Sequence, residues 1–496
     1  MADGATGELL IRDLRIVRPG RPAVERGDLF VARGKIVAVG AGLAAGPETK
    51  VVDGGGLLAF PGLVDAHMHT GIYSPLAEDA RTESRAAAQG GVTTSLNYIR
   101  SGQYYLNKGG PYAELFPEIL GQAEGRFHVD YGFHLAPMDR RQIGEIPMLI
   151  EQFGVTSFKI FMFYGGYGLH GASGNQRDFL MIGPDERYDL AHFEFVMRGV
   201  KDAMQRYPEL RQAISLSLHC ETAEIMTAYT RLVQEEGRLS GLRAYSAARP
   251  PHSEGLAICI AAYLAQETDC VNINLLHLSS RKAVDAALKM AEAFPQIDFR
   301  REVTIGHLVL DYDTAAGNQA KVNPPIRSRE DVDYLWQALL AGKIDWVVSD
   351  HACCRHELKL SAEQPDNVFL ARSGFGGTEY LLSALLTEGS RRGLPLHRVA
   401  ELTSRNPARR FGLASKGDLA PGYDADVVLV DPDRSFVVRG TESESAQGYT
   451  PFEGLELRGK VRSTYLRGQV IYRDGSIVGD PRGRYLRRAP NPARDA

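Results

Sequence analysis

The chain has 496 residues, with 57 basic against 61 acidic side chains and a formal net charge of −4, enough length for a large barrel plus a second module. Near-balanced charge without a basic stripe points away from nucleic acid and from an anionic membrane surface, leaving a small molecule as the default partner. The five cysteines (Cys220, Cys259, Cys270, Cys353 and Cys354) are odd in number, follow no disulfide-framework spacing, and read as reduced thiols.

The first eight residues carry acidic side chains and no apolar core, unlike a secretory signal. No apolar run approaches the roughly 20 residues that span a bilayer. A soluble, cytoplasmic protein is expected. Residues 8 to 59 alternate apolar and polar side chains in short runs punctuated by Gly, Pro and Arg, the pattern of strands and turns. From residue 60 the texture changes. Apolar runs at Gly62–Asp65, Val155–Phe158, Ala213–Leu218, Val271–Leu276 and Ile344–Ser349 read as buried strands. Helical stretches such as Ala80–Gly90, Asp189–Arg206, Ser253–Gln266, Arg281–Ala293 and Arg329–Ala341 alternate with them. This rhythm favours a parallel α/β barrel without by itself excluding a doubly wound sheet. The alternating β texture returns at Ala425–Val430, Phe436–Val438, Leu457–Tyr465 and Gln469–Tyr472. The expected organisation is a sandwich domain split between 1–59 and 415–480, a barrel at 60–414, and a loose tail rich in Pro and Arg at 481–496 that is expected to be mobile.

Each of the five apolar runs leads into a residue able to ligate a metal: His67 and His69, Lys159, His219, His277 and Asp350. Parallel barrel strands deliver their C-terminal ends to one face, so residues far apart in sequence converge there. His67 and His69 stand at i and i+2 and point the same way on a strand. Lys159, between Phe158 and Ile160, would be a poorly solvated cation, and an ammonium cannot ligate metal. Carbamylation by carbon dioxide would make it an anionic group with two oxygens, able to bridge two cations. Taken singly, each of these residues is more often structural: a histidine ending a strand is usually just hydrogen-bonded, and an aspartate there often caps a turn.

The ordered series resembles the cyclic amidohydrolases of the amidohydrolase superfamily, the dihydropyrimidinase and hydantoinase group. It extends from about residue 8 to about 475 and includes Pro61–His69, Gly90–Thr94, Phe158–Met162, Leu218–Glu221, Ala248–Pro251 with Glu254, Leu276–Ser280, Lys321–Ser328, Ser349–Ala352 and Gly417–Asp426. The resemblance implies a (β/α)8 barrel of the TIM type with a smaller β-sandwich domain from both chain ends, and a homo-oligomer, tetrameric or dimeric. It assigns His67, His69 and Asp350 to the more buried metal, His219 and His277 to the other, and carbamylated Lys159 to the bridge. Zinc is the first expectation, with manganese, cobalt or nickel also compatible.

On the same resemblance, a cyclic amide, imide or ureide is opened by metal-bound hydroxide. Asp350 takes its proton and returns it to the leaving nitrogen, while Tyr164, five residues past Lys159, donates to the developing oxyanion. Asn323 and Ser373 are the expected ring-binding residues, yet they exchange the serine and asparagine usual at these places in hydantoinases. The segment His69-Thr-Gly-Ile-Tyr lacks the arginine that dihydroorotases carry there. Hydantoin, dihydropyrimidine, allantoin and linear amides stay open as substrates, with dihydroorotate disfavoured. Cys353 and Cys354 read as packing thiols rather than ligands, and His307 as a structural residue. A mononuclear deaminase is disfavoured by Lys159, and a non-catalytic dihydropyrimidinase-related binding protein by the complete ligand set.

Overall fold

The structure, a computed structural model, describes residues 7–165 and 176–489. Eight strands form a parallel sheet in strict chain order: Leu63–Met68, Val92–Arg100, Asp130–Ala136, Ser157–Phe161, Ser215–His219, Asn272–Leu275, Asp298–Thr304 and Trp346–Val348. The first and last strands meet through a parallel bridge between Met68 and His351, reinforced by the His69 N–H donating to the His351 carbonyl at 2.7 Å. The sheet thereby closes into a barrel, and every strand presents its C-terminal end at one rim.

The helices between strands face inward on one side only. In Leu190–Arg206, Phe193, Val196, Met197, Val200, Ala203 and Met204 are buried, a spacing of three and four that makes one apolar stripe. Their starts are set locally: Asp189 accepts from the Ala191 and His192 N–H groups, Ser280 from Ala283, and Ser328 from Asp331. Each cap satisfies amide donors that the first helical turn leaves without partners.

The two chain ends build a second, mixed sheet of nine strands. Its halves join where Val427–Val437 runs antiparallel to Leu58–Pro61. Alternation along Val427–Val437 separates two cores: Val427 and Leu429 pack with Leu9, Ile11, Leu29 and Val31, whereas Val428 and Val430 join the main barrel core. A strand's side chains point to opposite faces in turn, so this one strand fastens the sheet to the barrel.

The segment expected to be a mobile tail differs from that expectation over its described part. Residues 481–489 lie along the barrel: the Gly483 N–H donates to the Phe127 carbonyl at 2.8 Å, Leu486 to Tyr131 at 2.8 Å and Arg488 to Gly154 at 2.9 Å. The Arg488 guanidinium is buried and donates to Ser157 Oγ and the Phe133 carbonyl. Polar composition suggested a solvated tail, but these side chains reach buried acceptors instead. Residues 490–496 lie outside the described part.

Candidate metal centre

The six residues singled out in the sequence come together at the C-terminal rim of the barrel. His67 is the penultimate residue of the strand Leu63–Met68, with His69 just beyond it, and Lys159 lies inside Ser157–Phe161. His219 closes Ser215–His219, while His277 and Asp350 each stand two residues past a strand. The last two adopt left-handed backbone, with φ of +34° at His277 and +55° at Asp350. Non-glycine residues rarely sit there, and such strain concentrates at functional sites.

Three ligand atoms face one point. His67 Nε2 and His69 Nε2 are 3.2 Å apart, and each is 3.1 Å from Asp350 Oδ1. The His67 and His277 imidazoles are held well below the ordinary histidine range by burial first, with Lys159 among the neighbouring positive groups that reinforce this. Burial likewise lowers His219 to about 4. These rings are therefore neutral near pH 7 and each keeps a nitrogen lone pair. Burial opposes ionisation of Asp350, but His67, His69 and Lys159 outweigh it and hold the carboxyl at about 2.

The orientation of each ring is set from behind. His67 Nδ1 lies 2.7 Å from Glu302 Oε1, and Glu302 also accepts from the Trp346 indole at 2.8 Å and the His277 N–H at 3.2 Å. An Nδ1–H directed to that carboxyl group would leave His67 with a bare Nε2 toward the centre. His69 Nδ1 meets the Tyr105 hydroxyl at 2.7 Å. His219 Nε2 meets Glu221 Oε2 at 2.7 Å, and the Arg249 guanidinium grips both Glu221 oxygens at 2.9 and 2.7 Å.

Lys159 is buried, and its Nζ has no hydrogen-bond partner. It rests 4.3 Å from the Tyr98 ring centroid and 4.7 Å from that of Phe161, and burial pulls its pKa down to about 7. His277 Nδ1 is also buried without a partner. Buried polar atoms without partners are rare. Neutral imidazoles, one carboxylate and an amine awaiting a partner form a donor set that fits divalent cations.

The adjoining cavity is lined by His69, Ile72, Tyr105, Phe161, Phe163, His219, His277, Val322, Asn323, Asp350, Ala352, Ser373 and Gly374. Asn323 and Ser373 both line this cavity. Tyr164 is placed differently. Its hydroxyl accepts from Arg100 Nε at 2.8 Å, and its ring packs among Phe161, Phe163, Phe179 and Tyr188, while Tyr105 stands in the lining. The loop beyond Gly165 falls outside the described residues. Cys353 lies apart from the six, beside Asp79 and Glu83. His307 bonds Thr304 Oγ1 at 2.8 Å and the Pro324 carbonyl at 3.1 Å, as a structural residue would.

Glu302, Tyr105 and Tyr245 were not singled out by the sequence reading. A charged residue inside the strand Asp298–Thr304 was an available signal for Glu302. Tyr105 and Tyr245 carry no comparable mark.

Comparison with known proteins agrees with this geometry. Residues 260–471 match the model of the Amidohydrolase family. An allantoinase of Rubrobacter xylanophilus is 34% identical over 97% of this chain and 97% of its own length. The crystal structure of dihydropyrimidinase from Brevibacillus agri superposes with a TM-score of 0.82 at 26% identity, covering 98% of this chain and 99% of that one. A D-hydantoinase (dihydropyrimidinase) from a Thermus species gives 0.80 at 29% identity, covering 97% and 99%.

Proposed function

Because this chain belongs to the amidohydrolase family, within its cyclic amidohydrolase group, we propose that it hydrolyses the ring amide of a cyclic ureide of the allantoin type at a centre of two divalent metal ions. The observation that carries this reading is the meeting of His67, His69 and Asp350 at one point beside a buried lysine amine without a partner.

When bound, the two cations supply Lewis acidity toward the scissile carbonyl and lower the pKa of a water. His67, His69 and Asp350 would hold one of them, His219 and His277 the other. Lys159 would bridge them as a carbamate: its neutral amine adds to carbon dioxide, an N–C bond forms, and one proton is released. Asp350, already a carboxylate, accepts the proton of the attacking water and delivers it to the ring nitrogen as the C–N bond breaks. Asn323 and Ser373 hold the ring edge, and Phe161, Phe163, Ile72 and Val322 cover its faces and exclude water.

Allantoin is favoured over dihydroorotate because, among the described residues, no lysine or arginine lines the cavity to pair with a ring carboxylate. The name of the Rubrobacter relative points the same way. Hydantoin is the second reading, supported by the resemblance to the Thermus enzyme. A homo-oligomer belongs to the same proposal and is read by sedimentation. The deciding experiment follows ring opening by zinc-, manganese- or cobalt-loaded protein across allantoin, hydantoin, dihydropyrimidine and dihydroorotate, with a linear amide alongside. The highest kcat/KM is expected for allantoin. Turnover of the linear amide alone would remove the cyclic-amide assignment.

A further inference from the structure

Resting on the reading that this cavity receives a cyclic amide, we propose that Tyr245 is a positioning residue that fixes the Asn323 side chain as a hydrogen-bond donor to a ring carbonyl. Tyr245 lies on the helix Gly241–Ala248, outside the barrel strands, and its side chain is buried. Its phenol oxygen accepts from Arg249 Nη1 at 2.9 Å. A guanidinium has only donors to offer, so in that bond the phenol oxygen is the acceptor.

Arg249 has little freedom to do otherwise, because its other two nitrogens are spent on Glu221. The Ser373 hydroxyl also bonds the Tyr245 phenol, and Lys321 Nζ sits 4.6 Å from the centroid of its ring. With acceptor capacity used on Arg249, the single phenolic hydrogen goes to Asn323 Oδ1.

An amide whose oxygen is engaged in this way must present its nitrogen elsewhere. Asn323 Nδ2 is buried and has no hydrogen-bond partner, and Asn323 lines the cavity next to His277 and Asp350. A buried N–H group without a partner is a demand for an acceptor. A ring carbonyl in the cavity supplies one. Without the Tyr245 hydroxyl, the Asn323 amide turns over as easily as not, and its oxygen would then face the substrate oxygen and repel it. Both arms of the network start at Glu221, which also meets His219. The metal side and the substrate side of the cavity are therefore held by one ion pair.

The test is a double-mutant cycle with Tyr245→Phe and Asn323→Ala in the metal-loaded enzyme, reading KM, kcat, metal content and Tm on the ring that the wild type opens. Tyr245→Phe should raise KM by about fivefold, the scale of one net hydrogen bond, with kcat and metal content close to wild type and Tm lowered because Arg249 Nη1 loses its acceptor as well. The double variant should bind no worse than Asn323→Ala, because Tyr245 acts through Asn323. Asn323→Asp keeps the shape but removes the donor, so it should raise KM at least as much. This last variant does not depend on Tyr245→Phe folding. Costs that add in the cycle, an unchanged KM in Tyr245→Phe, or a fully competent Asn323→Asp would each overturn the inference while leaving the cyclic-amide reading intact. A wild type that opens no ring would overturn both.

Discussion

His67, inside the strand Leu63–Met68, and His69, just beyond it, bring their Nε2 atoms to 3.2 Å of each other, both facing Asp350 Oδ1 at 3.1 Å. If both imidazoles turn a lone pair to that point, a cation between them removes their mutual repulsion. The arrangement is held from behind by Glu302, which meets His67 Nδ1 at 2.7 Å. Glu302→Gln should therefore weaken metal binding by about 10- to 100-fold, the usual cost of losing a carboxylate behind a histidine ligand. Metal retained against graded chelator is the measurement, and retention equal to wild type would remove Glu302 from this role. Wild type should carry about two ions per chain. Lys159→Ala should carry fewer, with activity partly restored by short carboxylates that take the place of the carbamate.

Asp350 offers a second test. Asparagine, like aspartate, is among the non-glycine residues that best tolerate left-handed backbone, so Asp350→Asn should keep the +55° φ and the fold. It can neither accept a proton nor bind as an anion. Turnover should fall by about 10²–10⁴ with the circular dichroism spectrum unchanged. Activity within a few-fold of wild type would reject the proton-transfer role.

Tyr105 and Tyr164 compete for one assignment. Tyr105 lines the cavity with its hydroxyl 2.7 Å from His69 Nδ1, whereas Tyr164 accepts from Arg100. Tyr105→Phe should lower kcat by about fivefold or more through the lost hydrogen bond. Tyr164→Phe, with Arg100 left short of an acceptor, should lower Tm more than kcat. The reverse pattern would return the oxyanion role to Tyr164.

Lys359 gives a pH-dependent prediction. It is buried, its Nζ donates to the Lys321 and Gly374 carbonyls at 2.9 and 2.6 Å, and burial pulls its pKa from 10.5 to about 7. Between about 7 and 10.5 the unfolded chain holds a proton here that the folded chain does not, so this residue makes stability rise with pH across that window. Lys359→Met removes the titration. The stability of the variant relative to wild type should be greatest near pH 7 and decline toward pH 10. Parallel denaturation curves at all pH values would contradict the assignment.

The six residues of the candidate metal centre were legible in the sequence because each stands in or just after an apolar strand, and parallel strands deliver their ends to one rim. Asn323 and Ser373 were legible only through the loops that resemble those of related enzymes. Tyr105 and Tyr245 were not, because neither follows a strand and each acquires its role from a distant partner, His69 or Asn323. Contacts of that kind leave no periodicity behind. Composition also misread the C-terminal segment, since arginine counts as a solvated residue until a buried acceptor is found for it.

That segment supplies the last prediction. Arg488 is 6% exposed, and its guanidinium reaches Ser157 Oγ at 2.5 Å together with the Phe133 carbonyl. Ser157 begins the strand that carries Lys159, so the C-terminal segment braces a barrel strand at the end opposite the metal centre. Arg488→Ala would take a buried donor from the Phe133 carbonyl and from Ser157 Oγ, which keeps its contact with His134 Nδ1, a loss of about 1–3 kcal/mol, and should lower Tm clearly. Arg488→Lys keeps the charge without the fork of donors and should recover only part of it. Activity at low temperature should stay close to wild type, because the contact lies away from the cavity and acts on stability. A Tm equal to wild type in Arg488→Ala would mean that the segment is held by its backbone bonds alone, and removing residues 481–496 altogether would then be the variant that lowers it.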